Sequence, residues 1–229
     1  MFKLLIFDWD GTLIDSEARI IASMQAAAEA LGHDPLPQES IRNIIGLGLP
    51  EAIRALIPHI DEPAVEQMRL CYSQQFIQRD TTPAQFYPGV EQTLQRLRQR
   101  GYRLAVATGK SRRGLNRVLE QTGLGELFEL TRCADETRSK PDPQMLQEIL
   151  AETGMGAGDA VMVGDTEYDL EMGRRIGMGR VAVSYGAHEL ERLRRFEPLT
   201  VIHHFPEIET WLDSLGTANE SMSGQGELS

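Results

Sequence analysis

Cysteine is scarce in this chain of 229 residues: Cys71 and Cys133 are the only two. They lie far apart without CxxC spacing, and they read as buried reduced thiols rather than a disulfide. Long apolar runs are also missing. The opening run, Leu4 to Phe7, is cut off at once by Asp8, and no stretch approaches the roughly 20 apolar residues needed to span a bilayer. That opening run has neither the length nor the small-residue cleavage site of a signal peptide, so a cytoplasmic protein is expected. Basic charge is in deficit, with 23 Lys and Arg against 34 Asp and Glu and a formal charge of −11. This disfavours a nucleic acid or an anionic membrane held by bulk electrostatics. Arginines do cluster, at Arg96, Arg98, Arg100 and Arg103, at Arg112, Arg113 and Arg117, and from Arg192 to Arg195. Acids are interspersed along the chain, and these clusters read as solvated helix faces. No internal repeats are evident.

What is present is enough apolar material, 41% of residues, for one large domain or a core with a smaller insertion. From Pro88 onward strand and helix patterns alternate. Strands are expected at Arg103 to Ala107, Phe128 to Thr131, Ala160 to Val163, Arg180 to Ser184 and Leu199 to Ile202. The helices between them stop at Gly101, Gly123, Gly154 and near Gly177, and a last helix runs from about Pro206 to Leu215. Such alternation implies an α/β fold, a doubly wound parallel sheet covered on both faces. Between Asp15 and Thr82 no strand pattern appears. Asp15 and Ser16 offer N-caps to a helix carrying Ile20, Met24, Ala27 and Leu31, and helical patterns resume around Ile41 to Ile45, Ala52 to Ile57 and Glu62 to Gln78. The expected organisation is a core of residues 1–14 and 84–216 with an inserted all-helical cap of residues 15–83. Thr81, Thr82 and Pro83 form the expected return linker, and the small polar stretch 217–229 is expected to be disordered.

The chemistry is concentrated at strand ends, where ligands of open parallel sheets bind. In Phe7-Asp8-Trp9-Asp10-Gly11-Thr12-Leu13 the two-residue period of a strand puts Asp8 and Asp10 on one side and Trp9 on the other, toward packing. Gly11 permits a sharp turn that Thr12 can hydrogen-bond. A pair of carboxylates so placed serves a cation, or a nucleophile with its proton carrier; the alternative is an ordinary Asp-Gly turn. Thr108 follows a strand, and its hydroxyl with the Gly109 amide can hold an oxyanion or simply cap a helix. Lys140, before Pro141-Asp142-Pro143, is either a fixed point charge for a phosphoryl group or an exposed lysine. Asp165 ends a strand and Asp169 lies one helical turn on, where an acid also serves as a helix cap. Asp8, Asp10 and Asp165 converging at one sheet edge need a compensating cation. Mg²⁺, which takes carboxylate and carbonyl oxygens, fits best, and no His or Cys stands nearby for zinc.

In order and spacing, Asp8-x-Asp10-Gly11-Thr12, Thr108, Lys140 and Gly164-Asp165…Asp169 resemble the four motifs of the haloacid dehalogenase-like (HAD) hydrolase superfamily. The resemblance spans roughly residues 2–186, and the helical insertion falls where that superfamily carries its small C1 caps. Within it the chain is most similar to the phosphoglycolate phosphatase and β-phosphoglucomutase group. The resemblance implies a Rossmann-like core and a division of roles. Asp8 would attack phosphorus, and Asp10 would protonate the leaving oxygen and then deprotonate water. Thr108, Gly109 and Lys140 would hold phosphoryl oxygens. Mg²⁺ would sit on the Asp8 carboxylate, the Asp10 carbonyl and Asp165, and Asp169 would orient Lys140 or a metal-bound water. Dehalogenases of the superfamily usually lack the second Asp, and P-type ATPases need membrane helices, so neither fits. The activity implied is Mg²⁺-dependent hydrolysis of a small phosphate ester, phosphoglycolate being the best single candidate. The alternatives are a sugar-phosphate mutase and a catalytically silent regulatory protein. Gly46, Leu47 and Gly48, with Arg42 or Arg54 beside them, are candidates for reading the leaving group, or form a plain helix–helix turn. Monomer and dimer are both left open.

Overall fold

The computed structural model describes residues 2–78 and 85–223. Among these, six strands form one parallel sheet: β1 (Leu4–Phe7), β2 (Arg103–Thr108), β3 (Leu130–Cys133), β4 (Ala160–Gly164), β5 (Gly179–Val183) and β6 (Thr200–Ile202). Their order is β3-β2-β1-β4-β5-β6, the doubly wound arrangement. Strand β1 pairs with β2 on one side and β4 on the other, Phe7 lying opposite both Val106 and Val163. The chain therefore changes direction across the sheet at β1 and β4, and a crevice opens at their carboxyl ends.

The strands read as unbroken apolar runs because both faces are buried. Alternate residues divide between two layers. Leu5, Phe7, Leu104, Val106, Val161 and Val163 pack with the helices α5 (Val90–Gln99), α6 (Arg112–Thr122) and α10 (Glu207–Ser223). Leu4, Ile6, Ala105, Ala107 and Met162 pack with α7 (Gln144–Thr153) and α8 (Glu167–Arg175) on the other face. A short helix α9 (Leu190–Arg194) precedes β6. Trp9 points away from the acids on either side of it, fully buried with its ring edge-on to Phe86 and Phe128.

Between β1 and α5 the described residues are helical: α1 (Glu17–Ala30), α2 (Gln38–Ile44), α3 (Leu49–Leu56) and α4 (Glu62–Gln78). They hold an apolar cluster of their own, built on Ile21, Met24, Ala27, Ile41, Ile53, Val65 and Met68, to which Ala187 adds from beyond β5. No helix among the described residues is long and apolar enough to cross a membrane.

Three local expectations are corrected. Strand β3 begins at Leu130, two residues later than expected. Phe128 is apolar because it ends a turn of 3₁₀ helix and packs against Trp9, not because it belongs to the strand. Ser16 occupies the N-cap position of α1 but makes no capping bond; its hydroxyl donates to Asp10 instead. Helix α10 continues to Ser223, past the expected stop at Leu215 and into the stretch expected to be disordered. Gly216 is its one glycine, and a single glycine costs only about 1 kcal/mol. The expected linker Thr81, Thr82 and Pro83, and residues 224–229, lie outside the described residues.

Candidate active site

Asp8 is the first residue beyond β1, its amide donating to the Val163 carbonyl of β4 at 3.0 Å. Asp165 is the first residue beyond β4. Asp169 lies in the first turn of α8, where it and Thr166 form a reciprocal cap: Asp169 Oδ2 accepts from the Thr166 amide at 3.1 Å and hydroxyl at 2.6 Å. Asp8, Asp165 and Asp169 are buried, with one carboxylate oxygen of each within 4.8 Å of the others. Lys140 reaches this group from the loop before α7. Its ammonium donates to Asp8 Oδ1 at 2.7 Å and to Asp169 Oδ1 at 2.6 Å, fully out of water.

Glycines make room for the acids. A Cβ on Gly11 would stand 2.2 Å from Asp165 Oδ2, and one on Gly186 2.2 Å from Asp165 Cβ. Gly11 also has φ +85°, a conformation that a side chain would strain. The Asp165 carboxylate is held by the Thr12 hydroxyl at 2.7 Å and the Ala187 amide at 2.8 Å. Asp8 Oδ2 is different: it is buried and has no hydrogen-bond partner. An orphaned carboxylate oxygen beside two further acids is what a hard divalent cation or an attacking nucleophile requires.

Three acids share one ammonium, and the electrostatics follow. Burial raises the Asp8 carboxyl well above its ordinary range, aided by the charges of Asp169 and Asp165 and opposed by Lys140. Burial, with Asp169 alongside, pushes Asp165 up to about 7 despite its hydrogen bonds from Ala187 and Thr12. Burial works against the Lys140 ammonium, but the Asp169 and Asp8 carboxylates outweigh it and hold the lysine protonated. Without metal the folded state therefore keeps a proton on Asp165 between about pH 4 and 7 that the unfolded chain releases, and stability falls as pH rises through that window. Thermal unfolding in EDTA at about pH 5 and pH 7.5 is expected to show this slope in the wild type and a smaller one in Asp165→Asn. A divalent cation placed on these acids, tested with Mg²⁺, is expected to bind more tightly as pH rises through the same window, since it requires the acids deprotonated.

The side chain of Asp10 does not join this cluster. Its two oxygens each accept from the Lys110 ammonium at 2.8 Å, and Oδ1 also accepts from Ser16 Oγ at 2.6 Å. Thr108 is fully buried at the end of β2, its hydroxyl oxygen accepting from the Lys110 amide at 3.1 Å. Asp8, Asp10, Gly109 and Lys110 line one side of a cavity of about 1090 Å³; residues of α1, α3 and α4 line the other.

Of the proposed cap residues, Gly46 and Leu47 line this cavity, while Gly48 donates its amide to Ser139 Oγ at 2.7 Å. Arg42 pairs instead with Glu17, and Arg54 with Glu62, each at 2.7 Å. The Gly46–Leu47 loop lies directly on the loop after β2: a Cβ on Gly109 would come within 2.6 Å of both the Gly46 and Leu47 carbonyl oxygens. Backbone cannot swing aside, so Gly109→Ala is expected to displace this loop. A misplacement of about 1 Å costs on the order of 10²-fold in kcat/KM. The acidic cluster of Asp8, Asp165 and Asp169 is not touched by this change, so any binding of Mg²⁺ seen in a titration of the wild type should be unchanged in the same variant. Lys110 is the residue that sequence reasoning passed over. Its signal was its place in Thr108-Gly109-Lys110, on the loop already selected for anion binding.

The acids at the central strand ends, with Lys140 held between two of them, mark the site of a Rossmann-like core, and the chain's family and relatives support a phosphoric monoester hydrolase. The chain belongs to the haloacid dehalogenase-like hydrolase family, whose model matches residues 5–183. It is 34% identical over 214 residues to a Dickeya dadantii protein named "Probable phosphatase IndB", covering 91% of this chain and 92% of that one. It is 31% identical to a phosphoglycolate phosphatase of Pseudomonas savastanoi pv. phaseolicola, over 87% of this chain and 76% of the relative. It is 30% identical to an N-acetylmuramic acid 6-phosphate phosphatase of Pseudomonas aeruginosa, over 80% and 82% respectively. In fold it is similar to a hydrolase from Pseudomonas syringae, with a TM-score of 0.84 at 22% identity over 93% of this chain and 98% of that one.

Proposed function

We propose that this protein hydrolyses a small phosphorylated metabolite with Mg²⁺, through an aspartyl-phosphate on Asp8. The observation that carries this is Asp8 itself: buried, tied by one oxygen to Lys140, and left with the other unpartnered beside Asp165 and Asp169. In the first step an Asp8 oxygen forms a bond to phosphorus as the ester bond breaks, and Asp10 gives its proton to the departing oxygen. In the second, Asp10 takes a proton from water, the water oxygen bonds to phosphorus, and the Asp8 carboxylate is released. Lys140, Thr108 and the Gly109 amide hold the transferring oxygens. Asp8, Asp165 and the Asp10 carbonyl would hold Mg²⁺, with Asp169 fixing Lys140; the ion would supply charge to the transferring phosphoryl oxygens. The helical segment 15–83 would act as the cap that covers the substrate and excludes water.

Phosphoglycolate is the first candidate substrate. The cavity favours a second: about 1090 Å³ lies just above the range of ordinary ligand pockets and would admit a much larger leaving group. The relatives named for phosphoglycolate and for N-acetylmuramic acid 6-phosphate match this chain almost equally, at 31% and 30% identity. Both names describe phosphorylated acids. The test is phosphate release from a panel of about forty metabolite phosphates, with Mg²⁺ and with EDTA, a breadth set by how many substrate classes one pocket could select among. Metal-dependent release from one or a few esters is expected. Labelling of Asp8 without release would favour a phosphomutase, and inertness in both assays a regulatory protein.

A further inference from the structure

Two lysines serve this site in different ways. Lys140 is fully buried between two carboxylates and fixed there. Lys110 has some freedom: its side chain keeps 14% of its exposure, and it lines the cavity between cap and core. Its ammonium spans both oxygens of Asp10 at 2.8 Å, and Ser16 occupies one of them as well. The departing ester oxygen has to receive a proton from Asp10, and the Lys110 ammonium lies against both carboxylate oxygens that could deliver it. For Asp10 to meet the leaving oxygen, the ammonium has to be drawn onto another partner.

The surroundings show what that partner would be. The Lys110 ammonium lies 5.0 Å from the centre of the Phe76 ring, on cap helix α4. The Arg19 guanidinium, on α1, sits 3.9 Å from the same ring and donates to the Phe76 carbonyl at 3.2 Å. Two cations are thus gathered around one aromatic ring of the cavity wall, and one of them, Lys110, is on Asp10. An ammonium on a flexible stem exchanges one oxygen ligand for another readily, and a carboxylate is its natural alternative to Asp10.

We infer that Lys110 determines specificity by binding a carboxylate on the leaving group, and that this releases Asp10 to meet the ester oxygen. The inference rests on the phosphatase reading above and narrows its substrate class to phosphate esters of hydroxy acids. In a 2-hydroxy acid ester only one carbon separates the carboxylate carbon from the ester oxygen. The groups serving the two must then be neighbours, as Asp10 and Lys110 are. A substrate without the anion leaves Lys110 on Asp10 and is turned over poorly.

The test is a charge series on one two-carbon frame: 2-phosphoglycolate, ethyl phosphate and O-phosphoethanolamine. In wild type kcat/KM should fall in that order, with phosphoglycolate ahead of ethyl phosphate by about 10-fold or more, the usual worth of one charge-assisted contact. Lys110→Met should bring the anionic and neutral esters to within about two-fold of each other, and Lys110→Arg should restore the preference, an outcome that a structural role would not produce. The same series is titrated calorimetrically into Asp8→Asn with Mg²⁺, alone and combined with Lys110→Met. If no ester is turned over but phosphoglycolate binds in preference through Lys110, the phosphatase reading and the release of Asp10 fail with it, and carboxylate recognition by Lys110 stands. Preference unchanged in Lys110→Met, no preference in wild type, or binding of none of the three overturns it.

Discussion

Asp8→Asn is expected to abolish turnover, lowering kcat by about 10⁴-fold or more, the scale seen when an enzyme loses its nucleophile. The fold should not suffer with it. Lys140 keeps its 2.6 Å bond to Asp169, and the substitution removes a carboxylate that burial and its acidic neighbours already oppose. Metal-free stability in urea should therefore match or exceed wild type, and Mg²⁺ affinity should fall because an amide is a weaker ligand than a carboxylate. Loss of activity together with loss of folding would instead make Asp8 a structural residue.

The second large effect is at Lys140. Lys140→Met removes the one ammonium that balances Asp8 and Asp169, and the replacement fits the volume but cannot donate. Breaking a buried pair by deleting one partner costs about 3–5 kcal/mol. Metal-free stability should drop by that order, and part should return when Mg²⁺ neutralises the remaining acids. Activity should fall on the order of 10²–10³-fold, the cost of removing a fixed charge-stabilising donor. Urea unfolding with and without Mg²⁺ checks the first figure and steady-state kinetics the second. Unchanged metal-free stability would mean that the acids stay neutral without Lys140 and that its charge is not needed to hold them.

These effects come from residues that were legible in the chain. The run Leu4 to Phe7 announces a strand buried on both faces, and the structure sends Leu4 and Ile6 one way and Leu5 and Phe7 the other. Asp8, Thr108 and Asp165 fall at strand ends because apolar runs stop there. Asp169 could be read as an α8 cap or as a partner of Lys140, and its two oxygens divide the work: one accepts from Thr166 and the other from Lys140.

What could not be read was pairing across long separations. Ser16 looks like an N-cap because capping residues precede helices, yet Asp10 offers its hydroxyl a charged acceptor that the helix does not. Lys110 is one basic residue among many until the β1–β2 pairing brings it to Asp10, one hundred positions away in sequence. Arg42 and Arg54 looked available for a substrate because their partners, Glu17 and Glu62, are brought to them only by the packing of helices α1 to α4.

The central claim is that Asp8 carries the phosphoryl group. The most direct measurement is an acid quench during turnover with Mg²⁺, followed by mass spectrometry of the peptide containing Asp8. The account predicts a phosphoryl group on Asp8, absent in Asp8→Asn and absent when EDTA replaces Mg²⁺. Phosphate release at the wild-type rate from Asp8→Asn, or a phosphoryl group found on another residue, would contradict it.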